Sequence, residues 1–222
     1  MQLYHGTSSH IDSWNFLHSG ECTCDNAGGI YFTDDKNLAR SYSVESYIRA
    51  HEGEYEGEQL QDLAEQQAHI YSCEIDTSNC LHLPKELVTL GNSAQYFQRS
   101  CDINIPLVNA IVATLLKWQG IPRRVSSEAY YEEQDMYEAI DILSEYFEEY
   151  DEELDEYVPK DVHYNCICLH DVLDSCTDLY EPIADTYIVL DTDIIKSTEL
   201  IPCFKFYKEI PTYMLYSQFF VV

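Results

Sequence analysis

Apolar and polar positions divide the chain into short strands near both ends and helices between them. Residues 2–5, Gln-Leu-Tyr-His, read as a strand, and Gly6 to Ser13 as a turn. WNFLH (14–18) is apolar enough to touch a core, whereas Gly20 to Asn26 is polar and loop-like. After Gly28-Gly29, the β-branched and aromatic run IYFTDD (30–35) predicts a strand ending at acids. Asp34 or Asp35 is placed to cap KNLARSYSVESYIRAH (36–51), a helical segment with Leu38, Ala39 and Tyr42 near one face.

Residues 51–66 are rich in Glu, Gln and Gly. AHIYSCEID (68–76) alternates as a strand does, and CLHL (80–83) follows it up to Pro84. A second apolar helical pattern runs over 86–118, strongest at Ile105–Trp118. In 126–157, Met136, Ile140, Leu143, Phe147, Tyr150, Leu154 and Tyr157 recur every three or four positions among acids, which predicts a long amphipathic helix ended by Pro159. His163, Asn165, Ile167 and Leu169 alternate with Cys166 and Cys168 in strand fashion. DTYIVLD (185–191), IIKSTELI, CFKFYKEI and YMLYSQFFVV complete a strand-rich tail. The order predicts an α+β fold with a largely antiparallel sheet over 1–222, and residues 85–180 as an acidic, mostly helical insertion within it.

Composition narrows the partners. With 40 Asp and Glu against 12 Lys and Arg, the net charge is -28. Such a surface repels phosphate backbones and anionic lipids and favours basic partners, with the acidic helix of 126–157 as one docking face for a basic protein. No run of about eighteen apolar residues is present to span a membrane. No apolar leader follows Met1, so a cytoplasmic setting is expected, with the nine cysteines as reduced thiols. The Cys22/Cys24 and Cys166/Cys168 pairs, with His163 and His170 near the second, are spaced too closely for the common zinc motifs, and no metal is assigned.

Three segments carry the candidate chemistry: LYHGTSS (3–9), GGIYFTDDKNLARSY (28–42) and DTYIVLDTDIIKS (185–197). In this order they resemble the ADP-ribosyltransferase superfamily, on its His-Tyr-Glu branch of diphtheria-toxin-like and poly-ADP-ribose-polymerase-like domains. The compact phage and mobile-element versions, which also run from a His-Gly-Thr strand to an IKS-like segment, are the most similar. AHIYSCEIDTSNCLHL resembles the next strand and turn of that family. The likeness spans roughly 1–50, 68–83 and 180–222 and leaves the middle uncovered.

The resemblance implies a split, mostly antiparallel sheet and NAD as co-substrate. It implies transfer of single ADP-ribose units to a macromolecular target in a phage–host or toxin setting, in the host cytoplasm if phage-encoded. A protein target is expected, and nucleic acid stays open. By motif match, His5 would bond the adenosine-side ribose and Gly6 would offer its backbone to the nicotinamide carboxamide, beside Thr7 and Ser8. Tyr31, next to Phe32, and Tyr42 would sandwich the ring. Ala39 stands where the polymerases carry a serine. Thr186 stands where active members place Glu, with Asp185 just before it. Thr186 bonds a hydroxyl but carries no negative charge, and strand alternation sends Asp185 and Thr186 to opposite faces unless a bulge intervenes. The catalytic set expected is therefore His5 and Tyr31 with Asp185 or Thr186. The competing reading is a weak or inactive module on the same fold that binds NAD, ADP-ribose or a partner. An RNA 2′-phosphotransferase, which also begins at His-Gly-Thr, needs several arginines on phosphate, and only Arg123-Arg124 cluster here.

Overall fold

A computed structural model describes residues 1–16, 28–55, 57–90, 102–121, 131–151, 156–173 and 182–202. The loop expected at Gly20–Asn26, the Cys22/Cys24 pair and the last two predicted strands lie outside them.

Seven strands form one sheet in the order β4-β7-β8-β2-β1-β3-β9. They are β1 (Gln2–Thr7), β2 (Ile30–Thr33), β3 (His69–Ile75), β4 (Cys80–Leu83), β7 (Cys166–Leu173), β8 (Ile183–Val189) and β9 (Ile195–Pro202). Every neighbouring pair is antiparallel except β4–β7. The two remaining strands, β5 (Glu148–Asp151) and β6 (Glu156–Pro159), make a separate antiparallel pair. The helices are α1 (Lys36–Ala50), α2 (Gly57–Gln67), α3 (Lys85–Val88), α4 (Ile105–Trp118) and α5 (Glu133–Phe147). None of the described helices is long and apolar enough to cross a membrane.

Period-two alternation sends successive side chains to opposite faces. On one face Ile70 packs with Ala39 and Val44 of α1 and Ala64 of α2, while Leu81, Leu83, Ile167, Leu169 and Ile188 pack under α4 and α5. On the other, Leu3, Phe32, Tyr71, Cys73, Cys168, Tyr187 and Val189 form a second core, partly covered by Trp14 and Phe16 of the expected WNFLH contact.

The sheet is continuous rather than split, but it has a weak seam. Strands β1 and β2 share one register pair, Tyr4 with Thr33, whereas β1 and β3 share six. The seam separates β4-β7-β8-β2 from β1-β3-β9.

Several elements differ from the sequence pattern. Strand β1 runs on through Gly6 to Thr7, because β3 pairs with it as far as His69. The polar stretch before β3 contains helix α2, docked by Leu60 and Ala64, four residues apart on its buried side. Among the described residues of the helix predicted over 126–157, Glu133–Phe147 form α5, and β5 and β6 follow it. Like charges crowd at helical spacing from Glu148 on, while Tyr150, Tyr157 and Val158 suit a strand. Strand β7 lies inside the 85–180 block yet belongs to the main sheet, so that block is not wholly an insertion.

Candidate functional site

The three motifs singled out in the sequence become three adjacent strands. Thr33 pairs with Thr186 and Tyr31 with Ile188 across β2–β8, and β1 lies on the far side of β2. Residues 5, 31 and 186 thus lie on three neighbouring strands in the middle of the sheet.

The seam between β1 and β2 shapes this region. Met1 and Ile75 exchange both backbone bonds, each at 2.7 Å, so the odd-numbered residues of β1 are the ones bonded to β3. By the same alternation the N–H and C=O of Gly6 face β2, two residues past the last β1–β2 register pair. The His5 ring bridges the opening: its Nδ1 lies 2.7 Å from the Tyr31 carbonyl oxygen. A carbonyl only accepts, so Nδ1 carries the hydrogen and neutral His5 keeps a lone pair on Nε2. Burial lowers the His5 pKa, opposed by the bond to Tyr31, and this favours the neutral ring.

Helix α1 presses on this seam. A Cβ on Gly6 would fall 1.6 Å from the Ala39 carbonyl oxygen and 2.9 Å from the Ser43 nitrogen. Ala39 is buried against this contact, and Tyr42 is half-buried one turn along the same helix. Thr7 caps the end of β1 by accepting from Ser9 N–H, and Ser8 Oγ lies 2.9 Å from Ser46 Oγ of α1.

Not all the candidates share a face. Gly6, Tyr31 and Thr186 lie on the helix-covered side, and Tyr31 packs against the α4–α5 core. His5 and Phe32 lie on the other side, with ring centroids 5.5 Å apart and Trp14 5.4 Å from His5. Thr186 is buried, and Asp185 takes the opposite face.

No protein-family model matches the chain, and no curated protein matches it.

Asp185 belongs to a second constellation, built by β4, β7 and β8. His82 and Cys168 are paired across β4–β7, and His170 follows on the same face of β7. The His82 and His170 rings stack 5.0 Å apart, with Nδ1 of His82 2.8 Å from Nε2 of His170. His170 Nδ1 is 3.0 Å from Asp185 Oδ2 and 3.5 Å from Cys168 Sγ. A β-bulge lies beside the cluster: the β7–β8 register shifts between Leu169 and Val172, and Asp171 has a φ of 50°. The bulged Asp171 N–H donates to Asp185 Oδ1 at 3.0 Å, so both carboxylate oxygens are held. Burial pushes the Cys168 thiol up to about 12.

An open cleft of about 540 Å³ adjoins this cluster, lined by Tyr4, Asp34, Asp35, Lys36, Asp171, Ile183, Ala184 and Asp185. Desolvation, with the Asp185 charge adding to it, raises the Asp34 carboxyl above its ordinary value, against the bond from Asp185 N–H.

The sequence did not single out His82. The signal was the pairing of CLHL with CICLH as parallel strands, which aligns His82 with Cys168. Both segments read as strands, but nothing in their spacing paired them. Among the described residues, Cys73, Cys80, Cys166 and Cys168 are buried and unbridged.

Proposed function

We propose that the chain is an NAD-dependent mono-ADP-ribosyltransferase that works at the β1–β2 seam, with a basic protein as its target. The observation that carries the reading is the backbone of Gly6: it lies opposite Ile70 in the β1–β3 register, but by strand alternation its N–H and C=O point to the β2 side, toward Tyr31. A primary amide, whose NH2 donates and whose carbonyl accepts, such as the nicotinamide carboxamide, suits such a pair. His5 commits Nδ1 to the Tyr31 carbonyl and keeps a lone pair on Nε2 for a ribose hydroxyl, which would have to approach from the face opposite the Tyr31 and Thr186 side chains.

The reaction breaks the bond between nicotinamide and ribose C1′. The bonding pair leaves on the nicotinamide nitrogen, and a target nucleophile bonds C1′ and loses its proton. Held leaving group and near nucleophile supply most of the acceleration, since the transition state is largely dissociative. Thr186 shares the Tyr31 face and offers a hydroxyl without charge, so turnover is slow and limited to single units. The net charge of -28 draws basic targets. The uncharged Thr186 is also what favours the second reading, a module that binds NAD without turning it over.

The test is nicotinamide release, and label transfer from NAD to lysate proteins, by the full chain and by Tyr31→Ala, Thr186→Val and Asp185→Asn. Activity should fall at least tenfold in the first two and persist in the third, whose side chain faces away from Tyr31. Tight NAD binding without release would replace the transferase with the binding module. Neither binding nor release would sink both.

A further inference from the structure

We propose that His82, Cys168 and His170 bind a divalent transition-metal ion of the zinc class, with Asp185 orienting His170. This does not rest on the transferase reading and uses the opposite face of the sheet from Tyr31 and Thr186.

One ligand atom from each of the three residues lies within 4.8 Å of the other two, a spread that one ion can gather. Two imidazoles and a thiolate form a borderline-soft donor set that suits zinc, cobalt or nickel over magnesium or calcium. The tautomers are set by the neighbours. Asp185 Oδ2 accepts from His170 Nδ1–H at 3.0 Å, the carboxylate–histidine arrangement found behind metal-bound imidazoles. Nε2 of His170 is then bare, and it faces His82 Nδ1 at 2.8 Å. An ion between these nitrogens needs them about 3.3 Å apart. The rings must part by roughly half an ångström, which the exposed His82 is free to do.

On binding, the proton between the rings moves to the other nitrogen of His82, and Cys168 Sγ releases its proton to solvent. The surroundings favour a cation: Asp34 and Asp171 stand beside Asp185 on the adjoining cleft. The exposed His82 leaves the site reachable from solvent. The Cys-x-His spacing of Cys168 and His170 is too tight for a motif read along one segment, but β4 supplies the third ligand by strand pairing.

The experiment is a Co²⁺ titration of the reduced, chelator-stripped full chain, read by visible absorption, followed by displacement with Zn²⁺. One Co²⁺ per chain with a thiolate-to-cobalt charge-transfer band is expected, and Cys168→Ser should abolish the band. His82→Ala should weaken binding at least tenfold without unfolding, since His82 is exposed, and Asp185→Asn by 10–100-fold. The exposed His163→Ala, outside the cluster, should bind as the parent does. No thiolate band in the parent chain overturns the proposal. So does unchanged affinity in a His82→Ala protein with native circular dichroism.

Discussion

Gly6 ties the packing of α1 to the seam between β1 and β2. Its missing side chain lets the α1 backbone cross β1 at the Ala39 carbonyl, and its own backbone then faces the β1–β2 seam. A Cβ there would meet backbone atoms, which cannot rotate away, so α1 would have to lift. Gly6→Ala should therefore cost about 3 kcal/mol, at the upper end for overpacking. Urea denaturation measures this, and an unchanged midpoint would mean that α1 does not press on β1. Because the packing demands glycine by itself, the residue type at position 6 says nothing about a ligand. Only the direction of its N–H and C=O bears on NAD.

Among the elements, α1 was the most legible. The sequence offered Asp34 or Asp35 as its cap, and the Asp35 side chain accepts from Asn37 N–H at 2.7 Å and Leu38 N–H at 3.2 Å. Asp34 instead accepts from Asp185 N–H and extends the β2–β8 pairing. Asp35→Ala should cost about 1 kcal/mol, as losing an N-cap does, whereas Asp34→Ala should leave the helix capped; thermal melts of the two variants separate the roles. Strands β2, β3, β4 and β8 and helix α4 were equally readable, the strands as short runs rich in β-branched, aromatic or aliphatic residues and α4 as a long apolar stretch. The β5–β6 pair was not, because Tyr150, Leu154 and Tyr157 continue the apolar spacing of α5 and mimic one more helical stretch. The candidate site was legible only in part. Local motifs singled out His5, Tyr31 and Thr186, but which face each takes depends on register. The His82–Cys168 alignment depends on pairing between segments more than eighty residues apart.

At the scale of the whole molecule, charge acts against compactness. Forty acidic residues against twelve basic ones repel one another across the surface, and salt shortens the range of that repulsion. Adding sodium chloride from low ionic strength should raise the thermal midpoint by several degrees, and calorimetry across a salt series measures it. A midpoint that falls with salt would mean that attractive ion pairs outweigh the repulsion. The same charge favours basic partners over nucleic acid on the open surface.

The strand order has a consequence for how the protein is made. Among the described strands, β2 has a full partner only in β8, and the outer edge of β3 is covered only by β9. The ribosome releases the first three strands long before either partner exists. Until residue 202 emerges, the nascent chain carries unpaired strand edges and the apolar face of Leu3, Phe32 and Tyr71. The sheet therefore closes after synthesis of its last described strands rather than during it, and the long sequence separation of these pairings makes that closure the slow step of folding.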